Sequence, residues 1–398
     1  MNEENINYLI KSAENEVRNN ILSYWANNMV DNEFGGFYGE RDFYGKLKPN
    51  ASKGAVLNSR ILWAFSKAYN VFKDEKYLNL ATRAYNYIEK YFRDPEYDGI
   101  FWELDYLGKV VNTQKYCYTQ GFWMYGLVEY YLASKNEDAL NTALKIFHLL
   151  QDKAYDKRYE GYIEAFGRNW TLTGDVRISE KDLNENKTYN THLHLLEPFT
   201  TLYQATKDKE VHDALENIVK LMFERFYIPS TGHFHLFFDD YWNFKGDLIS
   251  YGHDIEGSWL LWEALLALEN EDLKSKYLKY IIEIADFSAK ESIDNDGGQF
   301  YEGNPNGPVD TDKHWWPQAE AVIGFLNAWK LTGDNKFFDF ALNSWKFIEN
   351  YIIDKQAGEW HWKVNRLGKP DTTQVKAGFW KCPYHNSRVC FEIMKRLS

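Results

Sequence analysis

Between Tyr77 and Leu132 the chain runs YLNLATRAYNYIEKYF (77–92), then a turn into Gly99-Ile100-Phe101-Trp102, then GFWMYGLVEYYL (121–132). The first stretch sets apolar residues at helical spacing among charged ones, so it predicts a helix that buries one stripe and wets the other. The last stretch is apolar nearly all round, as a helix covered on both sides is. Between them glycine permits a tight turn and the aromatics favour extended chain, so a short strand or hairpin is expected. This three-part unit decides the fold because it recurs. Gly36-Phe37-Tyr38, Gly99-Ile100-Phe101-Trp102, Gly161-Tyr162, Gly232-His233-Phe234, Gly298-Gln299-Phe300-Tyr301 and Gly358-Glu359-Trp360 follow at intervals of 63, 62, 71, 66 and 60 residues. Six units of nearly constant period mark a repeat architecture.

Amphipathic outer helices are expected over 6–27, 77–92, 139–150, 211–226, 273–287 and 337–352, and apolar inner helices over 56–71, 121–132, 193–203, 255–268, 319–329 and 389–393. The last inner helix can close beside the first outer one. The pattern therefore predicts an all-α protein, a single (α/α)6 barrel over residues 1–398 with short Gly-aromatic hairpins at one rim. An open α-solenoid is the alternative; the matching ends and the aromatic load favour closure. Pro198 falls inside the third inner helix, where it costs about 3 kcal/mol unless the helix bends, so a kink is expected.

Composition narrows the function. With 46 Lys+Arg against 58 Asp+Glu the net charge is −12, which repels phosphate backbones and anionic lipid, so neither nucleic acid nor membrane is expected as a partner. The opening Met1-Asn2-Glu3-Glu4-Asn5 is polar and acidic, and no run approaches the ~18 apolar residues of a membrane span, so a soluble, cytoplasmic protein is expected. Cys117, Cys382 and Cys390 form no CxxC pair and suit a reducing compartment, with Cys382 read as a small buried thiol. The 15 Trp, 29 Tyr and 26 Phe are the anomaly. Aromatic faces stack on sugar rings, although core filling alone accounts for many of them.

Inner helices should be dry, yet each begins with polar residues: Arg60; Tyr118 and Gln120; His194 and Glu197; His253 and Glu256; Trp316 and Glu320; His385 and Arg388. His194/Glu197, His253/Glu256 and His385/Arg388 are i, i+3 pairs sharing a helix face. Their convergence at one end of a barrel describes a deep pocket of imidazoles, a guanidinium, carboxylates and indoles. His192 and His194 diverge on a helix, and neither HExxH nor a two-His-one-carboxylate spacing occurs, so no metal is expected. His148, His212, His233, His235, His314 and His361 fall on outer helices or turns and read as surface or structural.

Three segments carry a family resemblance: Tyr251-Gly252-His253-Asp254-Ile255-Glu256-Gly257-Ser258-Trp259, Trp315-Trp316-Pro317-Gln318-Ala319-Glu320 and Trp380-Lys381-Cys382-Pro383-Tyr384-His385-Asn386-Ser387-Arg388. With Asn32 to Gly39, Lys53 to Arg60 and Asn190 to His194 they resemble, over almost the full length, the cellobiose 2-epimerase branch of the N-acylglucosamine 2-epimerase superfamily. The resemblance implies that His253 and His385 are the acid/base pair. It implies sugar-contacting or supporting roles for Arg60, His194, Glu256 and Glu320, and aromatic walls from Trp259, Trp316 and Trp380. Asn58 and Gly257-Ser258 depart from some relatives and are assigned no role; Pro317 is tolerated at a helix start.

The activity implied is cofactor-independent 2-epimerisation of the reducing-end sugar of a β-1,4-linked disaccharide, by a monomer. Inverting C2 of an open-chain aldose means removing a hydrogen from one face and returning a proton to the other through a cis-enediolate. Imidazole suits both steps, with Glu256 expected to orient His253 and Arg60 to stabilise charge on O1. His194 or His385 can assist ring opening. Aldose-ketose isomerisation, mannobiose 2-epimerisation, an inverting glycosidase and a sugar-binding module are the alternatives, and the last two leave the histidines unexplained.

Overall fold

Each of the first five inner helices begins where a two-residue strand ends and stops at a residue in the left-handed conformation, and the next outer helix starts after a single capping residue. In the computed structural model, which describes residues 3–398, Lys53–Gly54 leads into α3 (Ala55–Phe72), preceded in the chain by α1 (Glu3–Asn15) and α2 (Leu22–Asn28). Met1 and Asn2 of the polar N-terminal stretch lie outside the described residues. Lys73 (φ 56°) closes α3 and Asp74 caps α4 (Glu75–Tyr87) by accepting from Lys76 N–H. The device repeats. Lys135 and Asn136 join α5 (Cys117–Ser134) to α6 (Glu137–Lys153), and Lys207 and Asp208 join α7 (Tyr189–Thr206) to α8 (Lys209–Leu221). Glu269 and Asn270 join α9 (Tyr251–Leu268) to α10 (Glu271–Glu291), and Gly333 and Asp334 join α11 (Trp315–Thr332) to α12 (Asn335–Phe347). Asp and Asn caps are strong helix starts, and only one of these five left-handed positions is the glycine such a turn favours.

The inner helices start earlier than their apolar runs suggest, and α13 (Tyr384–Leu397) is far longer than the expected 389–393. Polar residues at their N-termini hid the first turns. The first outer helix is continuous but passes through a π-helical turn, Glu16–Ile21, and α4, α8 and α12 end in similar turns. Helix α7 stays helical across Pro198. Pro198 has no N–H for the carbonyl of His194, four residues back. That carbonyl lies against Gly121 of α5, where a Cβ would sit 2.8 Å from it.

Packing follows chain order: α3 touches α5, α5 touches α7, α7 touches α9, α9 touches α11 and α11 touches α13. The series then closes, because α13 touches both α3 and α1, which excludes an open row. One buried apolar cluster runs from Leu9 on the first helix to Ile393 on the last. The hairpins gather at the N-terminal ends of the inner helices: Lys53–Gly54 pairs antiparallel with Glu103–Leu104, Lys115–Tyr116 with Ala165–Phe166, and Lys313–His314 with Lys363–Val364. Buried lysines tie them down, with Lys53 2.6 Å from Asp31, Lys115 3.0 Å from Asp94 and Lys187 2.8 Å from Asp156. The polar starts of the inner helices thus all face one end.

Candidate active site

At that end lies a cavity of about 420 Å³ lined by Arg60, Tyr118, His194, His253, Glu256, Trp316, Trp380 and His385, with Asn190, Lys181, Tyr301, His314 and Trp362 around its mouth. The residues named from the inner-helix starts do converge. His253 and Trp316 have ring centroids 4.7 Å apart, Trp316 and His385 5.6 Å, and His194 and His253 6.3 Å. Trp316 therefore packs beside both imidazoles.

His194 Nδ1 is 2.8 Å from Glu197 Oε2, and His385 Nδ1 is 2.8 Å from Glu320 Oε1. In each case the carboxylate favours the proton on Nδ1 and leaves Nε2 to the cavity, although at His385 the Arg388 Nη2 also lies 3.4 Å from Nδ1. His253 differs. The expected partner Glu256 bonds Arg388 instead, and His253 Nδ1 lies 2.7 Å from Ser250 Oγ, a residue outside the sequence-based set. An i, i+3 spacing brings two side chains to one face without obliging them to meet.

Burial pushes all three imidazoles down: His253 to about 3, helped by His194 and Arg60; His385 well below the usual range, helped by Arg60 and Arg388; and His194 against the upward pull of Glu197. All three are neutral near pH 7.

Beneath them Arg388 gathers three buried carboxylates. It donates to Glu197 and Glu256, and to Glu320 Oε1 at 2.7 Å. Burial raises Glu197, but Arg388 and His194 overcome it and hold the carboxyl at about 2. Burial followed by repulsion from Glu320 pushes Glu256 well above its usual range, against the pull of Arg388, and its Oε2 is buried without a partner. Burial also raises Glu320, with Arg388 and the Trp259 N–H pulling it back. Trp259 is not among the cavity-lining residues: it is buried below the floor, donating Nε1–H to Glu320 Oε2 at 3.0 Å and lying 4.8 Å under the Arg388 guanidinium. Glu320 likewise sits behind His385 rather than on the cavity surface.

Arg60 is the opposite kind of cation. It is buried, its Nη2 donates to Tyr118 OH at 2.6 Å, and it packs 4.1 Å from the Phe122 ring; no carboxylate pairs with it among the described residues, and its Nε has no partner. Cys382 is buried 3.9 Å from Arg60 Nη1, and burial raises its thiol.

Among the remaining histidines, His192 uses both ring nitrogens structurally, Nδ1 donating to the Thr188 carbonyl at 2.7 Å and Nε2 accepting from Tyr162 N–H at 2.9 Å. His314 departs from the expectation of a surface or purely structural role. It lines the cavity and stacks on Tyr301 with centroids 3.7 Å apart. It precedes α11 directly, one strand residue short of the helix starts where polar groups were sought. Two groups have a spacing that can accept a metal ion, His194 with His253 and Glu256, and Glu256 with Glu320 and His385, each within 4.8 Å.

The closed cycle of inner helices thus surrounds an imidazole- and indole-lined cavity. Residues 36–388 match the family model for N-acylglucosamine 2-epimerase, and the chain belongs to that family. It is 42% identical over 387 residues to a cellobiose 2-epimerase of Bacteroides fragilis, covering 97% of this chain and 98% of the relative. It is 38% identical over 389 residues to one of Ruminococcus albus, covering 98% and 99%. The solved structure of cellobiose 2-epimerase from Bacillus thermoamylovorans superposes with a TM-score of 0.94 at 37% identity, over 98% of this chain and 100% of that one.

Proposed function

We propose that this chain epimerises C2 of the reducing-end sugar in β-1,4-linked disaccharides, cellobiose to glucosyl-mannose and lactose to epilactose, with His253 and His385 as the two proton-transferring groups. The single observation that carries this is the placement of Trp316. An indole within 4.7 and 5.6 Å of two neutral imidazoles offers a face on which a sugar can stack with both bases within reach of C2. One imidazole takes the C2 hydrogen as a proton to give the cis-enediolate, and the other, after taking a proton from solvent on Nε2, delivers it to the opposite face and returns to its neutral form; the first then loses its proton to solvent. The buried, carboxylate-free Arg60 supplies fixed positive charge where the enediolate oxygen becomes negative. His194, with Nε2 free, and Glu256, with Oε2 unpartnered, serve ring opening and sugar contacts, while Trp380 extends the aromatic wall. Glu320 and Trp259 support His385 and Arg388 from below.

The closed cycle of helices is read here as an (α/α)6 barrel and residues 1–398 as one domain. The same reading makes the protein a cytoplasmic monomer; no helix among the described residues is long and apolar enough to cross a membrane.

Incubation of the purified protein with cellobiose in D2O, without added metal, tests the reaction by NMR. Glucosyl-mannose with deuterium at C2 is expected. Glucosyl-fructose as the main product would make it an isomerase, free glucose a hydrolase, and unchanged sugar a binding module.

A further inference from the structure

The three cavity imidazoles are held in two different ways. His194 and His385 each rest Nδ1 on a buried carboxylate at 2.8 Å. His253 has none; its Nδ1 meets the Ser250 hydroxyl at 2.7 Å, and among the described residues nothing else bonds the ring. Ser250 is 5% exposed and occupies the N-cap position of α9, where a serine hydroxyl ordinarily accepts from a backbone N–H of the first turn. It makes no such bond. The hydroxyl is turned from the helix end to the imidazole.

We propose that Ser250 is a positioning residue for His253, directing Nε2 to the substrate and allowing the neutral ring to carry its proton on either nitrogen. A carboxylate only accepts, so it pins the proton of His385 on Nδ1; a hydroxyl accepts from Nδ1–H or, rotated, donates to a bare Nδ1. His253 can thus offer the sugar either a lone pair or an N–H without becoming charged, which His385 cannot. When Nε2 takes a proton from C2, the resulting imidazolium donates Nδ1–H to the Ser250 oxygen, and when it returns the proton the ring is neutral again. The two faces of C2 are then served by unequal groups. This rests on the two-histidine reading given above.

The test compares wild type, Ser250→Ala and Ser250→Thr for C2 deuterium incorporation into cellobiose. It adds nitrogen NMR of histidine-labelled protein, with the His253 signals assigned through His253→Gln. Ser250→Ala is expected to lower kcat by about tenfold to a hundredfold, as loss of a group orienting a functional imidazole does. KM should hold and Ser250→Thr should restore the rate, because the hydroxyl and not the packing is at issue. The His253 tautomer signals should move in Ser250→Ala and recover in Ser250→Thr. A Ser250→Ala enzyme with wild-type kcat, or a folded Ser250→Thr enzyme as slow as the alanine variant, overturns the proposal. If wild type exchanges no C2 hydrogen, the two-histidine reading fails by itself, and unchanged His253 signals in Ser250→Ala then overturn the role of Ser250 separately. Should Ser250→Ala not fold, wild-type spectra decide: a His253 Nδ1 free of any hydrogen bond refutes the proposal.

Discussion

On the inner helices, Asn58, Gln120, His192, Asp254, Gln318 and Asn386 form one ring, and Arg60, Phe122, His194, Glu256, Glu320 and Arg388, each two residues later, form another. The first ring fastens the hairpins. Gln120 Oε1 accepts from Ile100 N–H at 2.9 Å, His192 from Tyr162, Asp254 from Phe234 at 3.1 Å and Gln318 from Gln299 at 2.7 Å. Asn386 acts through Glu359, which it bonds at 2.5 Å and which accepts from Trp360 N–H. The second ring meets near the axis and carries charge, some of it unpartnered. Both rings are buried and, Phe122 apart, polar, so burial of a polar group does not by itself mark function. Gln120 is fully employed by the backbone of Ile100, whereas Arg60 and Glu256 each keep an atom with no partner.

The severest way to break this contrast is at the imidazoles. His253→Ala and His385→Ala should each lower C2 deuterium uptake by about 10²–10⁴-fold while circular dichroism stays unchanged. Near-parental rates in either would remove that residue from the reaction. Next come the two guanidiniums. Arg388→Met strands three buried carboxylates and should cost about 3–5 kcal/mol in denaturant unfolding. Arg60→Met removes a cation without a counter-ion, so stability should hold while kcat falls by about 10²–10³-fold. Equal stability losses in the two would erase the distinction between them. In the fastening ring, Gln318→Leu leaves the N–H and carbonyl of Gln299 unpaired and should cost about 1–3 kcal/mol per group, with kcat per folded molecule retained.

The smallest effect lies at the seam where the last hairpin meets the first helix. Glu16 accepts from Trp360 Nε1 at 2.8 Å, and burial, opposed by that bond and by Asn20, pushes it from 4.5 up to about 7. A carboxyl whose folded pKa exceeds its unfolded one takes up a proton on folding, so its contribution is fully present below pH 4.5 and is lost as pH rises through 7. Glu16→Gln should therefore match the parent near pH 4.5 and exceed it by on the order of 2 kcal/mol at pH 8 in urea titrations. A constant difference across that range would refute the assignment.

Much of this was legible in the sequence. The glycine-aromatic period and the two kinds of helix gave the order of elements, and the polar helix starts gave Arg60, His194, His253, Glu256, Trp316 and His385 on one cavity. What escaped was partnership. Ser250 stands before its helix and looks like an ordinary cap, His314 sits at a strand end, and nothing in one dimension tells that Glu256 turns to Arg388 while Trp259 lies under the floor. A further signal was available: lysines 53, 115, 187, 313 and 381, each two or three residues before an inner helix, announced the buried pairs that hold the hairpins.

Helix α13 brings His385 to the cavity, holds Arg388 beneath it, and packs against both α1 and α3. One helix therefore both closes the cycle of inner helices and completes the lining of the cavity.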